Sequence, residues 1–250
     1  MRFFYVFLFM IFTFMVSCDP ENTTNSNAST PEMSIQFLPI INNTNIKQGQ
    51  YYSFLNGDSI LISRLDFYVQ HTEIFNKSQN KKSNFDTVIL VSLNNSENKI
   101  LMRKSDMPTT IDSIQFLCGL DDFTNAMDPN KYANNHPLSS WKNMYWTWSS
   151  KYRFIVFEGS IKSPSGSISN FSYHTGLNYK YFGSLPLSIT LNTSNPKTYS
   201  LKLDIKKIFY PSEARKIDYS AGELQAHADP SDLTLTDKFA KNFAAAFSFE

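Results

Sequence analysis

From Met33 onward the chain alternates short apolar runs with polar turns, and the runs have the period of strands. Met33–Phe37 alternates residue by residue, which sends successive side chains to opposite faces of an extended strand. Tyr51–Leu55 leads through Asn56, Gly57 and Asp58 into Ser59–Leu65, as a hairpin does. Leu65–Phe75, Phe85–Leu93, Thr110–Leu117, Tyr152–Phe157, Leu185–Leu191 and Leu201–Phe209 are rich in aromatic and β-branched residues. Asn, Ser, Asp and Gly fill the gaps between them. No helical pattern separates successive strands, so the expected fold is all-β: an antiparallel β-sandwich with a C-terminal α-helix packed on it. That helix is predicted over Thr234–Phe247, where Leu235, Phe239, Phe243 and Phe247 form one apolar stripe. Thr234 with Asp237 resembles a capping box at its start. Asp121–Ser140, polar and containing Pro129 and Pro137, reads as a surface loop.

The stretch that follows, Trp141–Gly159, holds all 3 tryptophans. Strand alternation puts Met144, Trp146 and Trp148 on one face and Tyr145 and Thr147 on the other. A thioether and two indoles on one face make either a bulky core layer or the wall of a binding site, and the pattern leaves both open.

The beginning of the chain bears on compartment. Arg2, the apolar run Phe3–Val16 and a short segment ending at Ser17 have the form of a secretory signal. The run is shorter than the roughly 20 residues that cross a bilayer. A Cys directly after such a segment resembles a bacterial lipoprotein signal, in which Cys18 becomes the lipidated first residue. Asp19–Pro31 has no aromatic or large aliphatic residue and reads as a flexible tether. The expected organisation is a signal over 1–17, a tether over 18–31 and one domain over 32–250. The expected location is the cell envelope, with the protein held to a membrane through its lipid.

A formal net charge of +1 gives no electrostatic case for a nucleic-acid partner. No P-loop, dinucleotide fingerprint or zinc-ligand spacing occurs. With Cys18 lipidated, Cys118 has no disulfide partner, and its place at the end of an apolar run predicts a buried, inert thiol. The 4 histidines, His71, His136, His174 and His227, include no close pair of the zinc-protease type. No Gly-x-Ser-x-Gly elbow or carboxylate pair accompanies them, so no enzymatic activity is expected. His136 precedes the tryptophan stretch, His174 lies in FSYHTG, and His227 lies just before the closing helix.

These segments carry a resemblance. HPLSSWKNMYWTWSSKYRFIVFEG followed by FSYHTG is similar to the signature of the MbnP-like family of periplasmic lipoproteins, named for a protein associated with the copper chelator methanobactin. LDFYVQHTEIF resembles the family's early strand, and ELQAHADPSDLTLTDKFAKNFAAAF resembles its C-terminal helix. The resemblance implies a β-sandwich copper protein of the periplasm or outer membrane. It also implies copper held by histidines near a tryptophan that a MauG-type dihaem peroxidase oxidises to kynurenine. Carried onto this chain, His174 is the first metal-ligand candidate, and His136 and His227 fall in matching segments. The soft thioether of Met144 suits Cu(I). Trp146 and Trp148 are both candidates for oxidation. Three positions depart from the usual pattern: Asn143 and Lys151 stand where Gly is common, and His71 where Asn or Asp is usual. The competing expectation is a metal-free adhesion module whose exposed aromatics stack on a glycan or peptide.

The leader carries its own prediction. Cys18→Ala should move the protein from the membrane fraction to the soluble fraction and abolish labelling by a fatty-acid analogue. Unchanged fractionation and labelling would refute the lipid anchor.

Overall fold

The structure, a computed structural model, describes residues 30, 32–93, 95, 98–108, 110–147, 151–177, 179–190, 197–227 and 233–249, with backbone alone over 184–190. The expected leader, Cys18 and Trp148 lie outside the described residues.

Strands dominate, as the alternation predicts, and they form two main sheets. The smaller is built on Glu32–Ile41, whose alternate residues Met33, Ile35 and Phe37 are buried. Lys197–Asp204 pairs with it on one side and Lys99–Arg103 on the other, and Phe247–Phe249 closes against Lys197–Asp204. The larger sheet is organised by the long strand Ser59–Asn76. Ile155–Lys162 pairs with its first half and Thr110–Cys118 with its second. Beyond Ile155–Lys162 come Ile168–Thr175 and then the short strand Gln225–His227.

The core is aromatic. Phe37 of the smaller sheet meets Phe67 and Phe116 of the larger edge to face, with ring centroids 5.9 and 5.6 Å apart. The helix Leu233–Ala245 adds Phe239 and Phe243, both fully buried. Phe239 stacks on Tyr173 at 4.9 Å, and Phe243 meets Phe67 at 5.1 Å. Such pairs contribute about 0.5–1.5 kcal/mol each beyond area burial. Cys118 is buried as expected, and its desolvated thiol is pushed far above the ordinary range.

The all-β, sandwich-like fold with a C-terminal helix is as expected, and the structure corrects several details within it. The sheets are mixed: Glu32–Ile41 runs parallel to Lys197–Asp204, and Ile168–Thr175 runs parallel to Gln225–His227. In each case the two strands are separated by long intervening chain, so no hairpin dictates their sense. The strand expected over Leu201–Phe209 ends at Asp204, whose side chain accepts from the Lys206 amide and starts the helix Ile205–Phe209. Ile205, Ile208 and Phe209 then repeat at helical spacing on the buried side. The C-terminal helix begins at Leu233, so Thr234 lies inside it, and the Asp237 carboxylate bonds Tyr181 and Lys241. Phe247 leaves the helix for the last strand. Asp121–Ser140 is more than a surface loop: Thr124, Asn125, Leu138 and Ser139 are buried in it.

The three departures from the pattern that the chain resembles share one backbone feature. Asn143, Lys151 and His71 all have positive φ, of 53°, 62° and 49°. Left-handed backbone is what Gly adopts freely and Asn or Asp adopts most readily among the rest. His71 sits where the register slips between Gln70 and Glu73, in a bulge against Thr110–Cys118. Its ring bonds offset the strain: Nε2 lies 2.7 Å from Asp121 Oδ2 and Nδ1 lies 3.1 Å from Asp86 Oδ1.

A second bulge falls at Glu158–Gly159 against Ser59–Asn76. A Cβ on Gly159 would collide with the Leu61 carbonyl oxygen and lie 2.7 Å from the Phe171 ring. Gly159→Ala should therefore destabilise the protein by about 3 kcal/mol or more, because neither the paired backbone nor the core ring can yield cheaply. A urea titration checks this, and a midpoint equal to the wild type would contradict the crowding.

Candidate metal centre

The turn Ser163–Ser167 joins Ile155–Lys162 to Ile168–Thr175, and the resulting register sets Val156 opposite His174 and Glu158 opposite Ser172. Alternation then divides the faces. Phe157, Phe171 and Tyr173 enter the aromatic core, while Glu158 and His174 point the other way. The parallel pairing with Gln225–His227 places His227 directly beside His174.

The two imidazoles meet through their Nδ1 atoms, 3.3 Å apart. His174 is 5% exposed and His227 is half-buried. On the far side of the His174 ring, Nε2 lies 2.7 Å from Glu158 Oε1 and 3.2 Å from Ser172 Oγ. An ionised carboxylate only accepts, so His174 Nε2 carries the proton and its Nδ1 presents a lone pair towards His227. Without a metal, the His227 Nδ1–H supplies the proton between the rings. The Trp146 ring packs against both, with centroids 5.2 Å from His174 and 6.4 Å from His227.

Two arginines back this group. The Arg153 guanidinium, 5% exposed at residue level, lies over the Trp146 ring at 4.8 Å. Its Nη2 donates to the Asn143 carbonyl, which also receives Arg64 Nη2 at 3.1 Å. Left-handed Asn143 turns that carbonyl towards both donors. Burial, and next the neighbouring Arg64, lower the Arg153 pKa, while Glu158 and Asp66 oppose the shift. Burial likewise lowers the His174 pKa, and the Glu158 hydrogen bond acts against it. Glu158 is itself held below the usual carboxylate range by that bond to His174.

Of the sequence-level candidates, the structure brings together His174, His227 and Trp146. It places Met144 elsewhere. That side chain is buried with Tyr68, Leu138 and Tyr152, and its sulfur receives Arg64 Nη2 at 3.4 Å. The alternation expected to set Met144 beside Trp146 does not hold, because the described strand here is only Tyr145–Trp146. His136 is also apart. It stacks on Tyr132 at 4.2 Å, and its Nδ1 accepts from the Leu138 amide. Glu158 and Arg153 had escaped notice. Alternation in IVFEG, set against FSYHTG across a hairpin turn, could have placed Glu158 with His174.

The spacing of the pair suits a single metal ion. Nitrogens about 2.0–2.1 Å from one ion are about 3.3 Å apart when they occupy neighbouring tetrahedral positions. That is the separation the Nδ1 atoms have. A carboxylate on the other nitrogen is the usual way a ligating imidazole is fixed in tautomer and orientation. Among the described residues no three His, Cys, Asp or Glu side chains converge on one point, and two of them, His174 and His227, present nitrogens to each other here.

Comparison with known proteins agrees with this description of the fold. The family model MbnP matches residues 30–226. The chain belongs to the MbnP family. The solved structure of MbnP from Methylosinus trichosporium is similar, with a TM-score of 0.56 and 13% sequence identity, over 88% of this chain and 98% of that one. Curated proteins give no match. The MbnP likeness at this identity concerns the fold, whereas the paired histidines are observed in this chain itself.

The buried imidazoles set a pH dependence. Burial lowers the pKa of His174 and of His136 below the ordinary 6.5. The unfolded chain then binds more protons than the folded one below that pH. Their contribution to stability is complete above pH 6.5 and is lost as pH falls through the lowered folded values. Glu158, held below 4.5, adds a further loss at more acid pH. For the metal-free protein, the urea midpoint should be flat from about pH 8 to about 6.5 and fall by about pH 5, and His174→Gln should reduce the fall. A slope unchanged by His174→Gln would show that the buried imidazole is not its source.

Proposed function

We propose that this MbnP-family protein binds a copper ion through His174 Nδ1 and His227, beside Trp146. The observation that carries this reading is the Nδ1–Nδ1 approach of 3.3 Å between a carboxylate-bonded imidazole and its neighbour on the adjacent parallel strand. Imidazole nitrogens suit copper, and a site with few anionic ligands favours the lower charge of the Cu(I) state. Copper would supply a soft, redox-active centre in contact with an indole. The chain's own residues do the rest: Glu158 holds the tautomer, Ser172 completes the hydrogen bonding of Nε2, and Arg153 fixes the indole face.

In this reading the protein stores or delivers copper in the cell envelope, anchored through lipid on Cys18. Trp146, in ring contact with both histidines, is the residue on which oxidation to kynurenine by a dihaem partner enzyme would act.

Copper content after purification and competition for Cu(I) against a chromogenic chelator test the ligands. His174→Ala and His227→Ala should each lower affinity at least about a hundredfold, and Glu158→Gln about ten- to a hundredfold. Met144→Leu and His136→Ala should leave it unchanged. Equal copper in the wild type and both histidine variants, or none in any, would sink this assignment. Mass spectrometry of the native protein reads any oxidation at Trp146 separately.

A further inference from the structure

A cleft of about 530 Å³ lies between the strand Ile89–Ser92 and the turn Ser140–Lys142. Small-molecule sites span about 300–1,000 Å³. Neither His174 nor His227 lines it, and a run of contacts through Asp66, Arg64, Asn143, Arg153 and Trp146 joins it to the imidazole pair. We propose that this cleft is a second binding site, for acidic saccharides.

Trp141 sets the character of the cleft. Its side chain is 75% exposed, on a turn held firmly at both ends. Leu138 and Met144, on either side, are buried in the smaller core. Ser139 Oγ accepts from the Trp141 amide, and the left-handed Asn143 ends the turn with its carbonyl between two guanidiniums. The backbone that carries the indole is thus anchored, and the exposed ring is open to a ligand. Ile89, Leu90 and Pro137 extend the apolar surface into the cleft.

Charge and shape narrow the ligand. Lys99 and Lys142 line the cleft, and the one carboxylate among its described lining residues, Asp66, is paired with Arg64 at 2.6 Å. The unbalanced charge of the described lining is therefore positive and suits an anion. Among the described residues no second aromatic ring lines the cleft to sandwich a flat base. A pyranose needs only one indole, because it has one apolar C–H face and a rim of hydroxyls. Ser92 and Asn135 offer those hydroxyls a partner alcohol and amide. A carboxylate on the sugar would meet the lysines.

Titration of the full-length protein with trigalacturonate, followed by calorimetry and tryptophan fluorescence, tests the site. Binding should weaken about tenfold in Trp141→Ala, the scale of a lost aromatic stacking contact. Lys142→Gln and Lys99→Gln should each weaken it several-fold, and binding should fall as salt rises. Melting temperature and copper content should stay at wild-type values in Trp141→Ala, because the side chain is exposed and outside the pair. The proposal is overturned by no binding at millimolar trigalacturonate, by equal binding of neutral maltotriose, or by binding that Trp141→Ala leaves intact. Binding of hexaglutamate in place of the saccharide would also overturn it.

Discussion

Two imidazoles stay 3.3 Å apart only if the strands that carry them are locked in register, and that constraint organises this protein's chemistry. His174 and His227 face each other because Ile168–Thr175 and Gln225–His227 pair in parallel at those residues. A one-residue slip would send one ring to the opposite face. The core side of the same strand prevents that slip. Phe171 and Tyr173 are packed with Phe157, Phe209 and Phe239, so shifting His174 would expel two large aromatics from the interior. Site precision and core packing are two faces of one strand.

Burial then makes a network out of what would be isolated polar groups. His174 is desolvated and relies on Glu158, and Glu158 is half-buried and faces the charges of Arg153 and Arg64. Asn143 gathers both guanidiniums on one carbonyl. Removing a single partner from such a set leaves the others unpaired in a low dielectric, which costs more than the bond itself.

Much of the fold was legible in the sequence. Alternation located Glu32–Ile41, and aromatic and β-branched content located Thr110–Cys118 and, as two runs meeting at Leu65, the single strand Ser59–Asn76. The Phe239–Phe243 stripe located the closing helix, since one buried face imposes the helical period. The helix at Ile205–Phe209 was missed because its few apolar positions fit a strand as well as a helix until Asp204 caps it. In the site, His174 could be singled out from FSYHTG, but its partnership with His227 could not, because a parallel edge pairing leaves no turn or spacing in the chain. Met144 misled for a local reason: alternation holds only within a strand, and the strand begins after it. His71, Asn143 and Lys151 looked like departures. Their positive φ values show that these positions have the backbone that Gly adopts freely and Asn or Asp most readily among the rest.

The parallel pairing of Glu32–Ile41 with Lys197–Asp204 has a consequence for how the molecule comes into being. Glu32–Ile41 takes a partner that lies far along the chain, and Phe247–Phe249, further on still, covers that partner's outer edge. Contacts so remote along the chain form slowly. The smaller sheet therefore stays incomplete until Lys197–Asp204 has found its place beside Glu32–Ile41, and assembly of that sheet waits on a contact that no local segment can supply.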